Sequence, residues 1–448
     1  MLETKSYSVP QYQLMNTAKQ QQLGSGENNN LVLQTDFVNP INEKSKFETG
    51  LRMQRRTNSS NSAFYMINNG QLVLQPSSQV FYESMDYVYA AYATYSRQFK
   101  SFGIQTGLRA ESSKYNGELT KTNEKFNIEF PVSFFPSIFL SKKISEGEDL
   151  QLNYSRRINR PNFWQLSPFT DSSDFLNRSK GNPGLKPEFT NSLELSYQKT
   201  FKNKDNFIAS LYYKNTDALI TRYQVVEIDP ASGKQIIMNT FINANSSYTT
   251  GMELVARNKI TKWWDLTTNL NLYTSKIDIN DPAQPKIDQF VSWFTKINNT
   301  FKLPKNFTIQ LSGDYQSRTV LPPGGSNSGG GGRGGGMGGG GGMGGMFGTP
   351  TASQGYVRAN YGVDVALRFE FLKEKKASLS LNINDIFKTR RQDIYSESSS
   401  AIQNIFRQRD AQVARLNFNW RFGKFDANLF KRKSNKGENQ GGMDNMNF

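Results

Sequence analysis

Cysteine and histidine are both absent from this chain of 448 residues. Their absence excludes disulfide bonds, thiol nucleophiles, zinc fingers and histidine general bases. A catalytic serine usually depends on histidine as well, so we predict no enzymatic activity, no cofactor and no metal site. The chain also has no run of about 18 apolar residues, which excludes a transmembrane helix.

Apolar residues are few overall, because only 36% of the chain is hydrophobic, although aromatic residues reach 13%. A soluble chain of this length would usually divide into two or three domains with packed cores. A large membrane barrel is an exception, because a polar lumen replaces the packed core. The composition is therefore compatible with a barrel without requiring one.

The segment 411–422 shows the clearest alternation in the chain. Leu416, Phe418 and Trp420 fall on one face of a strand, and Arg415 and Asn417 fall on the other. Successive side chains of a strand point to opposite faces, so one face suits lipid and the other suits water. Strands of about ten residues with this pattern, joined alternately by short turns and long polar loops, predict an all-β fold, namely an antiparallel transmembrane β-barrel.

Fifteen strands are predicted on this basis. They lie near residues 31–38, 46–56, 86–98, 102–112, 126–140, 149–157, 191–200, 206–215, 248–258, 264–276, 288–302, 306–318, 357–372, 376–388 and 410–422. Short connections are predicted at 99–101, 142–148, 201–205, 259–263, 303–305 and 373–375, and long ones at 57–85, 113–125, 158–190, 216–247, 277–287, 319–356 and 389–409. Short turns are periplasmic in bacterial barrels, so the C-terminus is predicted to be periplasmic.

An odd number of strands does not suit a single-chain barrel with both ends in the periplasm. Residues 4–14 are predicted as a weak sixteenth strand, which Pro10 would confine to a sheet edge. Plugged outer-membrane transporters have about 22 strands, so we expect about six strands and the plug to be missing. Met1–Asn16 lacks a charged segment followed by an apolar one, so we expect no signal peptide and a chain that is either trimmed or a fragment.

The basic residues are dispersed rather than clustered. Lys and Arg number 54 against 38 Asp and Glu, which gives a formal net charge of +16. A basic chain raises the question of nucleic-acid binding, but acidic residues are interspersed throughout. We therefore predict no nucleic-acid partner and a solvated surface attracted to outer-membrane lipid headgroups and lipopolysaccharide.

Three segments are predicted to differ from barrel strands. Segment 319–356 is rich in glycine and predicts a flexible extracellular loop, because glycine loses the most conformational entropy on ordering. Within loop 216–247, the pattern predicts a hairpin with strands at 223–229 and 234–240. Segment 423–448 predicts a disordered periplasmic tail.

Loop 158–190 has a different composition, with prolines and glycines that predict an ordered backbone. Asp171 and Asp174 in this loop could bind a cation, but two carboxylates in a Ser-rich turn are predicted to be solvated.

Two motifs carry a family resemblance. The first runs from Asn153 through Arg160-Pro161 to Gly181-Asn182-Pro183 and Leu185-Lys186-Pro187-Glu188, and the second is Asn384-Asp385-Ile386-Phe387-Lys388-Thr389-Arg390-Arg391. Both resemble the barrel domain of TonB-dependent outer-membrane receptors, and within them the outer membrane β-barrel proteins that carry a carboxypeptidase-regulatory-like domain before the plug. The resemblance covers residues 1–422, with no plug or TonB box before the first strand, as in an N-terminally truncated member.

The resemblance implies a 22-strand barrel, closed by an N-terminal plug, that imports a scarce ligand with energy from the TonB complex. TonB would reach this chain only through the missing plug, and a surface lipoprotein is a further partner to consider. The motif residues are interpreted as structural: Arg160, Pro161, Asn182, Pro183, Leu185, Pro187, Glu188, Asp385 and Phe387. No ligand-binding residue is assigned, although loops 158–190, 216–247 and 319–356 are expected to capture ligand.

Transport is therefore the leading prediction, in the cell outer membrane, with a siderophore, a glycan or a peptide as the class of ligand. The alternative is a passive porin-like or structural outer-membrane barrel without energised transport. A plug upstream of the barrel would decide between the two.

Overall fold

A computed structural model describes most of the chain and shows an all-β fold. The described residues are 2–7, 14–68, 70–74, 80–120, 123–167, 170–171, 177–228, 233, 235–279, 288–320, 355–397, 402–408 and 410–422. The short helix α1 (Phe163–Leu166) lies among the strands, and no helix in these ranges is long and apolar enough to cross a membrane. The tail predicted at 423–448 and the stretch 321–354 of the glycine-rich loop lie outside the described residues.

Strands account for almost all of the regular structure. In chain order they are β1 (Leu2–Tyr7), β2 (Leu14–Asn42), β3 (Ser45–Asn68), β4 (Gln71–Leu74), β5 (Val80–Gln98), β6 (Phe102–Leu119), β7 (Glu124–Ser145), β8 (Glu148–Asn159), β9 (Thr170–Asp171), β10 (Asn177–Lys180), β11 (Glu188–Thr200), β12 (Asn206–Asp217), β13 (Ile220–Ile228), β14 (Gln235–Asn243), β15 (Ser246–Lys259), β16 (Trp264–Asp278), β17 (Val291–Leu303), β18 (Phe307–Gln316), β19 (Gly355–Val357), β20 (Asn360–Phe371), β21 (Ala377–Ile383), β22 (Arg391–Glu397), β23 (Ile402–Gln408) and β24 (Ala414–Trp420).

Seventeen of these strands form one large sheet. We call this sheet the wall. Each of its strands except β4 pairs antiparallel with the next one along the chain, in the order β1, β2, β3, β5, β6, β7, β8, β11, β12, β15, β16, β17, β18, β20, β21 and β24. Strand β4 pairs with β3. Short turns close one end of this wall, including one-turn 3-10 helices at Pro304–Asn306 and Lys373–Lys375. The other end, called the long-loop end below, carries two smaller sheets, β9–β10–β14–β13 and β19–β22–β23.

The all-β, antiparallel wall predicted from the sequence is confirmed, and each predicted barrel strand overlaps a strand of the large sheet. The first part of the weak strand predicted at 4–14 is present in β1, which pairs antiparallel with β2, and residues 8–13 lie outside the described residues. The hairpin predicted within loop 216–247 is also present, because Tyr223 pairs with Thr240 in the β13–β14 ladder.

The lengths of several strands were predicted wrongly. Segments 57–85 and 113–125 were assigned to loops, but β3 continues to Asn68, β5 begins at Val80 and β6 continues to Leu119. These extensions lack regular alternation, because 57–62 is wholly polar whereas 63–67 is an unbroken run of apolar and aromatic residues. The pattern that reveals a half-buried strand is therefore missing. The strand predicted at 376–388 ends at Ile383, since Asp385 adopts a positive φ of 47° and turns the chain.

Residues that pair across neighbouring strands are taken to lie at one level of the wall. The outward face can then be followed level by level from the short-turn end to the long-loop end. Tyr95 lies at a lower level and Tyr87 at an upper one, eight residues apart, or roughly 26 Å along the strand. Between them the outward side chains are apolar and exposed, as in Leu51 at 60%, Tyr89 at 49% and Phe134 at 55%. This band has the height and the tyrosine borders of a lipid-facing surface.

The inner face is polar and better covered. It carries Asp86, Glu111, Ser113 and Asn271, which are all buried. Arg109 and Glu111 form an ion pair of 2.7 Å there. The wall therefore alternates between an apolar outer face and a hydrogen-bonded inner face, as expected for a large barrel with a polar lumen.

Strands β1 and β24 are the two edges of the sheet within the described residues, where no ladder joins them. The whole of β24 is exposed, including Leu416 at 67% and Phe418 at 62%. Exposed side chains on both faces distinguish this edge from the central strands, whose inner faces are covered.

Candidate functional site at the long-loop end

The motif segment 182–188 is held against the long-loop end by Asn182. Its backbone N–H donates to the carbonyl oxygen of Gln165 in α1 (2.6 Å), and its Nδ2 donates to the Phe241 carbonyl oxygen on β14 (3.0 Å). Its Oδ1 accepts the Gly184 N–H (2.9 Å), which closes the turn through Pro183. One residue therefore joins the helix through its backbone, and the turn and the hairpin through its side chain.

Leu185 supplies the apolar centre of the same segment. It is buried and packs with Leu166 and Ile220, with Ile128 and Phe241 around them. Its neighbour Pro187 is also buried. We call this assembly of α1, the 182–188 turn and the β13–β14 hairpin the cap.

Asn243 fastens the cap from the other side. Its Oδ1 accepts the Lys186 N–H (2.8 Å), and its Nδ2 donates to the carbonyl oxygens of Lys186 (2.9 Å) and Ala218 (2.7 Å). The sequence analysis missed this residue, because an asparagine at a strand end carries no distinctive pattern.

Glu188 is the buried polar anchor of the cap, with a solvent exposure of 0%. Its Oε2 accepts a bond from Asn159 Nδ2 (2.7 Å), and its Oε1 accepts the backbone N–H of Ile220 (2.6 Å). Glu188 begins β11 beyond the outward apolar residues of that strand. Burial raises the pKa of its carboxyl to about 7, against the lowering effect of the two hydrogen bonds.

Arg160 and Pro161 follow β8 and tie the loop to the inner face of β6. Arg160 Nε donates to Ser113 Oγ (2.9 Å), and its terminal nitrogen pairs with Glu111. Glu111 thus lies between Arg109 and Arg160. Pro161 is buried beside this network.

The second motif turns around Asp385. Its carboxylate accepts the backbone N–H groups of Thr389 (2.9 Å) and Arg390 (3.0 Å), and its own N–H donates to Asp364 Oδ1 (2.8 Å) on β20. Phe387, at the tip of the turn, is 63% exposed. Asp385 therefore contacts the wall, whereas Phe387 projects from it.

Arg390 completes this turn with a charged anchor that the sequence analysis did not single out. Its guanidinium makes two bonds to Asp364 (3.0 and 3.2 Å) and a further ion pair with Asp314 on β18. The alternation of β18 and β20 placed both aspartates on the inner face, but nothing in the sequence indicated which cation would meet them.

The two loop sheets contact each other. Ser396 Oγ on β22 donates to Gln224 Oε1 on β13 (3.0 Å), and Gln224 Nε2 donates to Gln403 on β23. Strands β12 and β21, from which these hairpins arise, are separated by five strands of the wall. The hairpins therefore lean towards each other at the long-loop end.

Aromatic rings and arginines flank the ends of the glycine-rich loop. Thr319 and Val357 form a bridge at its base, and Arg318 lies between the rings of Phe290 (4.3 Å) and Tyr356 (5.0 Å). Tyr356 in turn stacks on Tyr395 at 5.1 Å. Such a surface offers ring faces and hydrogen-bond donors, which suit ligand binding rather than bond-making chemistry.

No cluster of three or more His, Cys, Asp or Glu that could hold a metal ion occurs in the described ranges. The side chain of Asp171 and the whole of Asp174 lie outside them. The cap and the second motif are thus hydrogen-bonded structures built from uncharged donors, carboxylates and arginines.

A family model for the outer membrane protein beta-barrel family matches residues 2–329 and 343–420. No curated protein matches the chain. Among solved structures it is similar to the copper transporter OprC, at 12% identity and a TM-score of 0.55 over 89% of this chain and 56% of that one.

Two iron-uptake proteins give similar values. The ferric citrate transporter FecA, unliganded, has 13% identity and a TM-score of 0.54 over 89% of this chain and 56% of that one. The ferric yersiniabactin receptor FyuA from Yersinia pestis has 14% identity and a TM-score of 0.51 over 87% and 53%. The likeness shows a shared fold, and the chain spans about half the length of these structures.

Proposed function

Because the chain belongs to the outer membrane protein β-barrel family, we propose that it forms part of the barrel of an outer-membrane receptor that imports a scarce ligand. The proposal rests on one observation above the others. Long loops fold into hairpins that contact each other through Gln224, Ser396 and Gln403 at one end of a wall with a polar inner face. A passive pore gains nothing from such a cover, whereas a receptor needs loops that enclose its ligand.

The long-loop end is the extracellular end in this proposal, and the C-terminus is periplasmic. Short turns at the other end fit the periplasmic side of bacterial barrels. In this proposal TonB acts through a plug, and no residue of this sequence is assigned to either contact.

The similar proteins indicate a broad class of ligand. FecA and FyuA take up ferric complexes and OprC is a copper transporter, as their names state. We propose a metal chelate as the first class to test, with a glycan or a peptide next. The described residues hold no cluster of metal ligands, and in this proposal the metal arrives within its chelate.

The test is competitive growth of a strain that lacks the gene. Wild type and deletion strain are mixed in media limited separately for iron, copper, a complex glycan or peptide nitrogen. A growth defect in one medium, reproduced by inactivating TonB, supports energised import and names the class. A defect that persists unchanged without TonB supports the passive barrel instead, and equal growth in all media refutes import of these ligands.

The orientation has its own test. A short epitope inserted in the glycine-rich stretch 324–348 should be accessible to antibody on intact cells, and an epitope after Phe448 should require permeabilised cells. The opposite result would reverse the barrel and refute the proposed capture of external ligand by the loops.

A further inference from the structure

A groove of about 620 Å³ lies on the outward face of β2, β3, β5, β6 and β7. It exists because small side chains lie beside large ones. Ala91 and Ala110 are paired across β5 and β6, and Leu51, Met53, Tyr89 and Val132 stand around them. The lining is almost wholly apolar, so the groove suits a hydrocarbon chain rather than a polar ligand.

The groove ends at a basic level of the wall. Pairing across the strands places Arg55, Tyr87 and Lys114 side by side, one level nearer the long-loop end than Met53 and Tyr89. The separation between these levels is two residues, or roughly 6.6 Å along the strand. A cation therefore lies within reach of whatever occupies the top of the groove.

Arg55 carries a charge that the described residues do not neutralise. It is exposed and has no ion-pair partner among them. Lys114 is different, because it pairs with Glu129 at 2.6 Å. Beyond this level the outward residues become Asn29, Asn116 and Asn127, so the lipid-facing band ends at Arg55 and Lys114.

An unpaired arginine at the end of an apolar groove matches one kind of molecule, a lipid with a phosphate headgroup. The acyl chain fills the groove, and the guanidinium binds the phosphate through charge-assisted hydrogen bonds. If the long loops are extracellular, as in the proposed function on which this step rests, the groove opens to the outer leaflet, whose phosphorylated lipid is lipopolysaccharide.

We propose that this groove is a lipopolysaccharide site, in which an acyl chain of lipid A lies over Ala91 and Ala110 and a lipid A phosphate binds Arg55. The site fixes one lipid against β3–β6 while neighbouring lipids exchange.

The experiment measures lipid binding to the full-length protein, purified in mild detergent, by native mass spectrometry. The probes are lipid A, lipid A without phosphates and phosphatidylglycerol. Arg55→Gln removes the charge, and Ala91→Leu fills the groove. Each is expected to weaken binding of lipid A roughly tenfold, and removal of the phosphates should weaken binding to wild type by a similar factor.

Two matched variants serve as controls. Ala93→Leu adds the same volume at the next outward position of β5, outside the groove, and Lys276→Gln removes an exposed cation on β16. Both should bind lipid A within about twofold of wild type. The shift in gel mobility on heating shows that each variant is folded.

Equal binding of lipid A by Arg55→Gln and wild type would overturn the proposal, and so would phosphatidylglycerol binding as tightly as lipid A. Import is measured separately by growth, so the lipid site can fail while the proposed transport stands. An epitope in the glycine-rich stretch that is inaccessible on intact cells would remove the premise of an outer-leaflet site.

Discussion

The cap and the second motif are each held to the wall by carboxyl groups, which we call their anchors, but the two anchors use different chemistry. In the cap, Glu188 is fully buried and meets only uncharged donors, Asn159 Nδ2 and the Ile220 N–H. In the second motif, Asp364 and Asp314 are partly exposed and share the guanidinium of Arg390. The first anchor depends on burial of a carboxyl group and the second on opposite charges, so the first should be sensitive to pH and the second to salt.

The largest effect is expected from Glu188→Ala. It leaves the buried Ile220 N–H without an acceptor and opens a cavity where the buried carboxyl group lay. These two losses should destabilise the cap by about 2–4 kcal/mol. Hydrogen exchange of the amides in 181–190 and 218–245, measured on the folded barrel, reports the change.

The control for Glu188 is Glu227→Ala on β13. Its carboxylate is exposed and lies 3.7 Å from Lys180, so its loss should change the cap by less than about 0.5 kcal/mol. Comparable exchange in the two variants would show that the buried carboxylate does not hold the cap.

A pH titration of the cap should follow next in size. The folded pKa of Glu188, about 7, lies above its ordinary value of 4.5. The folded cap therefore holds the proton more tightly than the unfolded loop, and this contribution is complete below pH 4.5. It is lost as pH rises from 4.5 to 7, by up to about 3 kcal/mol.

Hydrogen exchange at pH 5 and pH 8, corrected for intrinsic rates, measures this loss. The change should be absent in Glu188→Gln, whose side chain does not titrate. A cap that is more stable at pH 8 than at pH 5 in wild type would contradict the assigned direction of the pKa.

Arg390→Leu should have a smaller effect, of about 1–2 kcal/mol on the turn 384–391, because its partners are partly exposed. It leaves Asp314 and Asp364 close together without a cation. Since exposed ion pairs are screened, 1 M salt should weaken the wild-type turn but leave the cap unchanged. Equal salt sensitivity of the two loops would remove the distinction between the anchors.

Sequence alone located the strands and both motifs but not the hydrogen-bond and ion-pair partners that make the anchors. Alternation fixed the strands wherever one face was apolar, and failed in 57–68, where a wholly polar stretch is followed by an unbroken apolar and aromatic run. The position of Glu188 was predicted within its motif. Its partners lie 29 and 32 residues away in the chain, so they could be identified only once the register of β8, β11 and β13 was known. Arg390 reaches Asp314 across 76 residues, beyond any local pattern.

The smallest effect is expected from a variant that moves the Arg390 guanidinium without changing its charge. A Cβ at Gly362 would lie 2.7 Å from Arg390 Cζ and Nε, so Gly362→Ala should displace the guanidinium while keeping every charge. Exchange in 384–391 should show a loss of about 1 kcal/mol. Gly313→Ala is the matched control on the neighbouring strand, because a Cβ there meets no atom within 4 Å. If both variants leave the turn unchanged, the anchor depends on net charge near Asp364 rather than on the paired geometry of its two hydrogen bonds.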